Sequence, residues 1–375
     1  MVHGCEPVEM SQPDGDLVVG FSAMSVDQAQ FEAGVACIAT VPVDDVTLQQ
    51  AAQMIDAMVR RGRVTSATAH VVTINVDFVV NALSDAGLLR ILQRAELSIP
   101  DGMPIVWHSL LSRTPLRERV AGADLVPLLV DRSRSSGHRV LLFGSANGVA
   151  EEARDLLRSR YPGALVDAIS GPIMSDIHTM DASVLDEINT LAPDIVCVAL
   201  GNPKQEKWID LYRHQIGACV FIGVGGTLDF LVGGRRRAPA WIRRCGLEWL
   251  VRAIQEPRRL GRRYLRDLVT FGPLMLGAVC SQWTRLPGSR PDVRWMDDDR
   301  YRRRIIDGAT ITGCDPRSLC TILGLGRSAR RGGCGVVVRT SSQALVKGLS
   351  AVDGATFEYE SAARSPGNDE AILHS

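Results

Sequence analysis

A chain of 375 residues is long enough for two ordinary domains, or for one large domain with extensions. Its composition, 46% hydrophobic and 22% charged, is that of a soluble globular protein with ample core-forming residues. Formal net charge is zero, so no global field draws the protein to nucleic acid or to a membrane, and local asymmetry becomes the better clue.

Residues 1–33 mix Gly, Pro, Asp, Gln and Ser without periodicity and read as a loose extension. Order is expected to begin with a short β-type run, Val35 to Val41. A helix should start near Asp44-Asp45, with Val46, Leu48, Ala51, Ala52, Ile55, Met58 and Val59 on one face. The pattern then repeats as strand, turn, helix. Ala69 to Asn75 reads as a strand, 77–95 as a helix, and Leu97 to Pro100 as a short strand ending at Asp101-Gly102. A helix over 123–136, a strand from Arg139 to Gly144, a helix from Gly148 to Arg160 and a strand from Leu165 to Ile169 follow. Ile195–Leu200 and Ala218–Val224 are near-continuous apolar runs, as strands covered on both faces must be. Such alternation predicts an α/β fold, a doubly wound and mostly parallel sheet with helices on both faces.

Beyond about 234 the texture becomes that of an arginine-rich helix. Over 246–266, Arg252, Arg258, Arg259, Arg262, Arg263 and Arg266 recur at spacings of three and four, which gathers several on one face. That face is either solvated or turned toward phosphate or anionic lipid. Leu268 to Thr284 carries no charge but is shorter than the roughly 20 residues of a spanning helix, and Gly272-Pro273 interrupts it. A buried helix and a segment at the membrane interface both fit. From 288 to 375 the composition predicts a disordered tail. The expected division is therefore 1–33 extension, 34–235 α/β domain, 236–287 basic helical appendage and 288–375 tail. None of the nine cysteines forms a Cys-x-x-Cys pair or a zinc-spaced cluster, and Cys37, Cys197 and Cys219 sit in apolar runs, a pattern that suits a reducing cytosol. No basic region followed by an apolar core opens the chain, so no signal peptide is expected.

In parallel sheets, ligands bind beyond the carboxyl ends of the strands. Five such ends carry polar or glycine residues: Thr73-Ile-Asn75, Asp101-Gly102, Gly144 to Gly148, Gly201 to Glu206, and Gly223 to Asp229. The loop at Gly144 is either a phosphate cradle at a helix start or a tight turn. Gly223, Gly225 and Gly226 are similar, with Asp229 placed to read a base or a ribose. Neither loop continues into Gly-Lys-Ser/Thr, and neither supplies Gly-x-Gly-x-x-Gly with a distant acid, which argues against P-loop and nicotinamide chemistry. Asp101 is the strongest base candidate, because a carboxylate at a strand end can take the proton of an attacking sugar hydroxyl; an Asp-Gly turn is the plainer alternative. Gln205 can hydrogen-bond sugar hydroxyls, or its cluster is simply a helix start with Glu206 near the dipole. Arg119 can pair with phosphate or with a surface carboxylate.

Taken together, these pieces resemble the WecG/TagA/CpsF glycosyltransferases. The resemblance runs from about Val41 to Arg266. It rests on Val72-Thr-Ile-Asn75, Ile99-Pro-Asp-Gly-Met-Pro104, Arg119-Val-Ala-Gly-Ala-Asp124, Val198-Ala-Leu-Gly-Asn-Pro-Lys-Gln-Glu-Lys-Trp208, Gly223-Val-Gly-Gly-Thr-Leu-Asp229, Arg237-Ala-Pro-Ala-Trp241 and Gly246 to Arg259. It implies a Rossmann-like fold and an inverting, metal-independent transfer, without a cofactor, from a UDP-sugar to a polyprenyl-diphosphate-linked saccharide. UDP-N-acetylmannosamine, its uronic acid and UDP-glucose all fit as donors. By position, Asp101 matches the family's proposed base, Thr73 and Asn75 line the same pocket, Arg119 and Gln205 contact phosphate or sugar, and Asp229 contacts the base. The resemblance further implies that 237–285 lies on the inner face of the cytoplasmic membrane and supplies arginines, here Arg252, Arg258, Arg259 and Arg262, to the acceptor diphosphate. Nucleic acid is not an expected partner, and homo-oligomers stay open. A membrane-peripheral sugar-nucleotide scaffold or sensor is the non-enzymatic alternative.

Overall fold

The computed structural model describes residues 34–112, 114–171, 177, 180–233, 257–283, 294–298, 303–307, 322, 335–339 and 357–360. The first apolar run is not one strand but a hairpin, β1 (Val35–Ile38) against β2 (Val41–Asp44), which turns at Ala39 with a φ of 55°. Asp44, expected at a helix start, instead ends β2, is fully buried and accepts the Ser98 amide at 2.8 Å. The first helix, α1 (Leu48–Thr65), begins four residues later, where Thr47 and Gln50 cap each other reciprocally.

The strand β3 (Ala69–Ile74) leads into two helices where one was expected, α2 (Val76–Ser84) and α3 (Ala86–Arg94). Asp85 makes the break. Its backbone is extended, and its side chain accepts the Leu88 amide at 2.9 Å, so it ends one helix and starts the next. Then come β4 (Leu97–Pro100), α4 (Met103–Leu111), α5 (Gly122–Ser136), β5 (Val140–Gly144), α6 (Val149–Arg160), β6 (Val166–Ile169), α7 (Ala182–Leu191), β7 (Ile195–Ala199), α8 (Lys204–Tyr212), β8 (Val220–Gly223) and α9 (Thr227–Leu231).

Six strands form one all-parallel sheet in the order β4-β3-β8-β7-β5-β6. One face carries a core in which Ile55 and Val59 of α1, Leu125 and Leu129 of α5 and Leu157 of α6 meet Val71, Leu142 and Ile222. The other face holds two cores. In the first, Val72 and Ile74 pack with the hairpin, α2 and α3; in the second, Phe143, Val198 and Phe221 pack with Trp208 of α8. This is the Rossmann-like arrangement that the alternating pattern predicts.

A 27-residue helix, α10 (Pro257–Trp283), spans about 40 Å and crosses the second face. Phe271 is buried in the core beside α2, and Pro273 lies inside the helix without ending it. The uncharged run is therefore two-sided. Asp267, Phe271 and Ala278 are buried, whereas Leu265, Leu268, Val269 and Leu276 are each more than 60% exposed. Among the described residues no helix is long and apolar enough to cross a membrane. Trp241, Trp249 and Arg252 lie outside the described residues.

The residues described within 288–375, which composition reads as a disordered tail, include strands. Four strands, β9 (Arg294–Asp298), β10 (Arg303–Asp307), β11 (Gly335–Arg339) and β12 (Phe357–Glu360), form a mixed sheet in the order β12-β11-β10-β9. Ile305-Ile306 and Val336-Val337-Val338 are too short to announce strands alone, and it is the pairing between distant segments that completes them.

Candidate active site

Strand β3 has β4 on one side and β8 on the other, so the chain order reverses there, and in parallel sheets ligands bind beyond the carboxyl ends at such a reversal. Asn75, Asp101, Gly201 and the Gly223–Gly226 loop follow four adjacent strands and converge on that edge.

Asp101 directly follows β4. Its amide donates to the Ile74 carbonyl at 2.8 Å, which fixes the backbone beside β3, and the residue is half-buried. A Cβ on Gly102 would stand 3.5 Å from Cβ of Asn75, an ordinary contact that shows how closely the ends of β4 and β3 lie side by side. Asn75 itself caps α2, its side-chain oxygen accepting the Phe78 amide at 3.4 Å. Arg119 reaches the same edge because the Val120 amide donates to the Pro100 carbonyl at 2.8 Å, and its guanidinium lies 3.7 Å from the Asp124 carboxylate.

Thr73, expected to line the pocket, and Gln205, expected to contact phosphate or sugar, both make hydrogen bonds within the protein. Thr73 is buried and donates its hydroxyl to the Gly223 carbonyl at 2.8 Å, tying β3 to β8. Gln205 is fully buried; its amide nitrogen donates to Glu206 at 2.9 Å and its oxygen accepts the Gly225 amide at 2.9 Å. Glu206 in turn meets Nε2 of His70 at 2.5 Å, both side chains being sealed from solvent. Gly223 permits this closeness, since a Cβ there would fall 2.1 Å from the Glu206 carboxylate. Sequence reasoning passed over His70, a polar residue inside the apolar run Ala69 to Ile74, and left Glu206 near a helix dipole. The histidine within a buried strand was the available signal.

Asp229 lies in the first turn of α9, half-buried at the same edge. Gly144 lies one strand further along the edge, at the end of β5 and paired with Ala199 of β7. Its loop makes a poor anion cradle. Glu151 and Glu152 occupy the first turn of α6, the Gly148 amide already donates to Ser170, and Glu151 accepts the Ser170 amide and hydroxyl.

The basic helix reaches the site from outside. Arg266 donates to Asp77 at 2.7 Å and Arg263 stands 4.0 Å from it; Asp77 lies two residues beyond Asn75 and also holds the Asn202 side chain at 2.9 Å. Burial, and then the neighbouring Asp77, push the Asp267 carboxyl above its ordinary value against the pull of Arg266. Arg262 is exposed on α10, and Arg258 and Arg259 lie in its first turn, their side chains outside the described residues. The arrangement offers a carboxylate at a strand end, glycine-lined backbone and a cationic helix, which together suit group transfer from a phosphorylated donor.

Comparison with known proteins gives the same direction. The model of the glycosyl transferase WecG/TagA/CpsF family matches residues 36–285. An N-acetylglucosaminyldiphosphoundecaprenol N-acetyl-β-D-mannosaminyltransferase of Bacillus spizizenii is 34% identical over 194 residues, 52% of this chain and 74% of that protein. Proteins of the same name from Staphylococcus aureus strain MW2 and Bacillus subtilis strain 168 are 32% and 34% identical, over 51% of this chain and 74% and 73% of theirs. With a Rossmann-like sheet that converges Asp101, Asn75 and two glycine loops, and a family match across two thirds of its length, the chain belongs to the WecG/TagA/CpsF family and is a glycosyltransferase.

Proposed function

We propose that the protein transfers a sugar from a UDP-sugar to a polyprenyl-diphosphate-linked saccharide in cell-envelope polymer synthesis, with inversion and without a metal. The observation that carries this reading is Asp101 at the end of β4, beside Asn75 and next to the strand reversal. Asp101 takes the proton of the acceptor hydroxyl as that oxygen attacks the anomeric carbon, and the UDP leaves as an anion that needs no proton. The Gly223–Gly226 loop and Asp229 take the nucleotide side of the donor, and Arg119 faces phosphate.

The relatives' names speak of N-acetylmannosamine and of a diphosphoundecaprenol acceptor, which favours UDP-N-acetylmannosamine ahead of its uronic acid and UDP-glucose. A lipid-linked acceptor also accounts for α10, whose exposed Leu265, Leu268, Val269 and Leu276 accompany Arg262 and Arg266. Such a helix lies in a membrane surface, here the inner face of the cytoplasmic membrane, with its arginines near diphosphate.

The test is one mixture: full-length protein, EDTA, anionic vesicles carrying a prenyl-diphosphate saccharide, and each UDP-sugar in turn, read by mass spectrometry and by sedimentation. One donor should yield a product longer by one sugar while the protein pellets with the vesicles. Absence of product with every UDP-sugar, with or without added magnesium, would sink the reading.

A further inference from the structure

Between the two cores on the α10 face lies a chain of polar side chains that an apolar core would not contain. His70 is 2% exposed, and Gln205 and Glu206 are wholly buried. Burying such groups costs free energy, and an ion pair in a core seldom repays more than a well-packed apolar pair would. Stability is therefore a poor reason for their presence, and their connections suggest a better one.

The chain has a single self-consistent direction. A carboxylate only accepts, so the Gln205 atom 2.9 Å from Oε1 of Glu206 is the amide nitrogen, while the other Glu206 oxygen stands 2.5 Å from Nε2 of His70. This fixes the Gln205 amide. Its oxygen must then point the other way, where it accepts the Gly225 amide at 2.9 Å. With Gln205 turned over, an NH2 would confront the Gly225 N–H and both bonds would be lost. Glu206 thus sets which end of Gln205 the loop meets, and His70, anchored on β3, sets where Glu206 sits. Gly225 lies in the left-handed region at a φ of 54°, a conformation that this bond helps to hold.

We infer that His70 and Glu206 are positioning residues for donor binding, acting through Gln205 on the Gly223–Gly226 loop. They touch no substrate; they hold the loop amides in the shape that the nucleotide meets. This rests on the reading of that loop as the donor's, so the experiment keeps the two apart.

The decisive variant is the double replacement His70→Leu/Glu206→Leu in the full chain, an apolar exchange of the kind that buried pairs tolerate. UDP affinity by calorimetry and the KM of each substrate are measured on protein whose melting temperature is recorded alongside. The double variant should bind UDP about tenfold more weakly and show a donor KM raised by a similar factor, the loss of about one net hydrogen bond, with the acceptor KM unchanged. Glu206→Gln should stay within about threefold of the wild type, because a glutamine there can still accept from Gln205 while facing an unprotonated Nε2 of His70. A folded double variant that binds UDP like the wild type overturns the inference. Should the double variant not fold, Gln205→Met decides, since it keeps the length and removes both bonds, and wild-type UDP affinity in it overturns the inference equally. Failure of the wild type to bind UDP would instead strike the donor reading itself.

Discussion

At the amino ends of the strands, Asp194 takes both Nε and Nη2 of Arg63 at 2.7 and 2.8 Å and the Arg139 amide at 2.8 Å, while Asp56 gathers Arg132 and His138 between α1 and α5. At the carboxyl ends of the same sheet, side chains also bond to backbone: Thr73 to Gly223, Gln205 to Gly225, Asn75 to Phe78. The first edge fastens helices to the sheet with ion pairs. The second adds to its ion pairs a set of side chains that shape peptide links beside a carboxylate. Disturbing the first should therefore change stability with little effect on turnover, whereas disturbing the second should reach donor binding or turnover.

Asp101→Asn gives the sharpest test of that contrast. It should lower kcat by about 10²–10⁴-fold, the range of general base catalysis, with UDP affinity and melting temperature unchanged. Steady-state kinetics and calorimetry on one preparation check it, and a fully active variant would remove Asp101 as the base. Gly223→Ala is next. The new methyl collides with Glu206 and Gln205, and the repacking should cost about 1–3 kcal/mol and weaken UDP binding together, visible by denaturant titration and calorimetry.

At the opposite edge, Asp194→Asn should cost about 1 kcal/mol, discounted because Arg63 is half exposed, and leave kcat and KM as they are. Its pH dependence has a defined sign. Burial pushes Asp194 and Asp56 up, but bonds from Arg63 to Asp194, and from His138 and Arg132 to Asp56, leave both carboxyls below the ordinary range. Their stabilisation is complete above the unfolded carboxyl value, about 3.9, and is lost as the pH falls through the folded values. Melting temperature should thus drop below about pH 4, and drop less in Asp194→Asn.

Asp267→Asn is the smallest effect and has the opposite sign. A carboxyl raised by burial stabilises only when protonated, so that contribution is lost as the pH rises above its unfolded value. The asparagine should raise the melting temperature by a degree or two at pH 7 and by nothing at pH 4. A uniform change at both values would separate the effect from ionisation.

The sequence showed the sheet clearly because buried parallel strands are continuous apolar runs, and it showed Asp101 because a strand end followed by glycine is visible in one dimension. It hid whatever depended on a partner far along the chain. Asp44 reads as a helix start until Ser98 meets it, and the bonds of Gln205 to Glu206 and Gly225 have no trace in the spacing of the sequence. The break at Asp85 was missed for a local reason, since apolar spacing continues through it and only its capping bond to Leu88 marks the division. His70 is the instructive omission. One histidine in an apolar strand carries no periodicity, so its meaning lies wholly in the glutamate 136 positions later that it touches.

The strand order has a consequence for how the molecule is made. β8 is translated last of the six yet lies at the middle, between β3 and β7, and the Thr73–Gly223 bond spans 150 residues. A chain emerging from the ribosome therefore carries β3 and β4 as one fragment and β5, β6 and β7 as another, each with an open edge, until residue 223 has left the tunnel. Joining them is a late, non-local closure of the slow kind. The nascent protein is thus catalytically silent until its central strand arrives, and chaperones that shield strand edges are most useful to it in that interval.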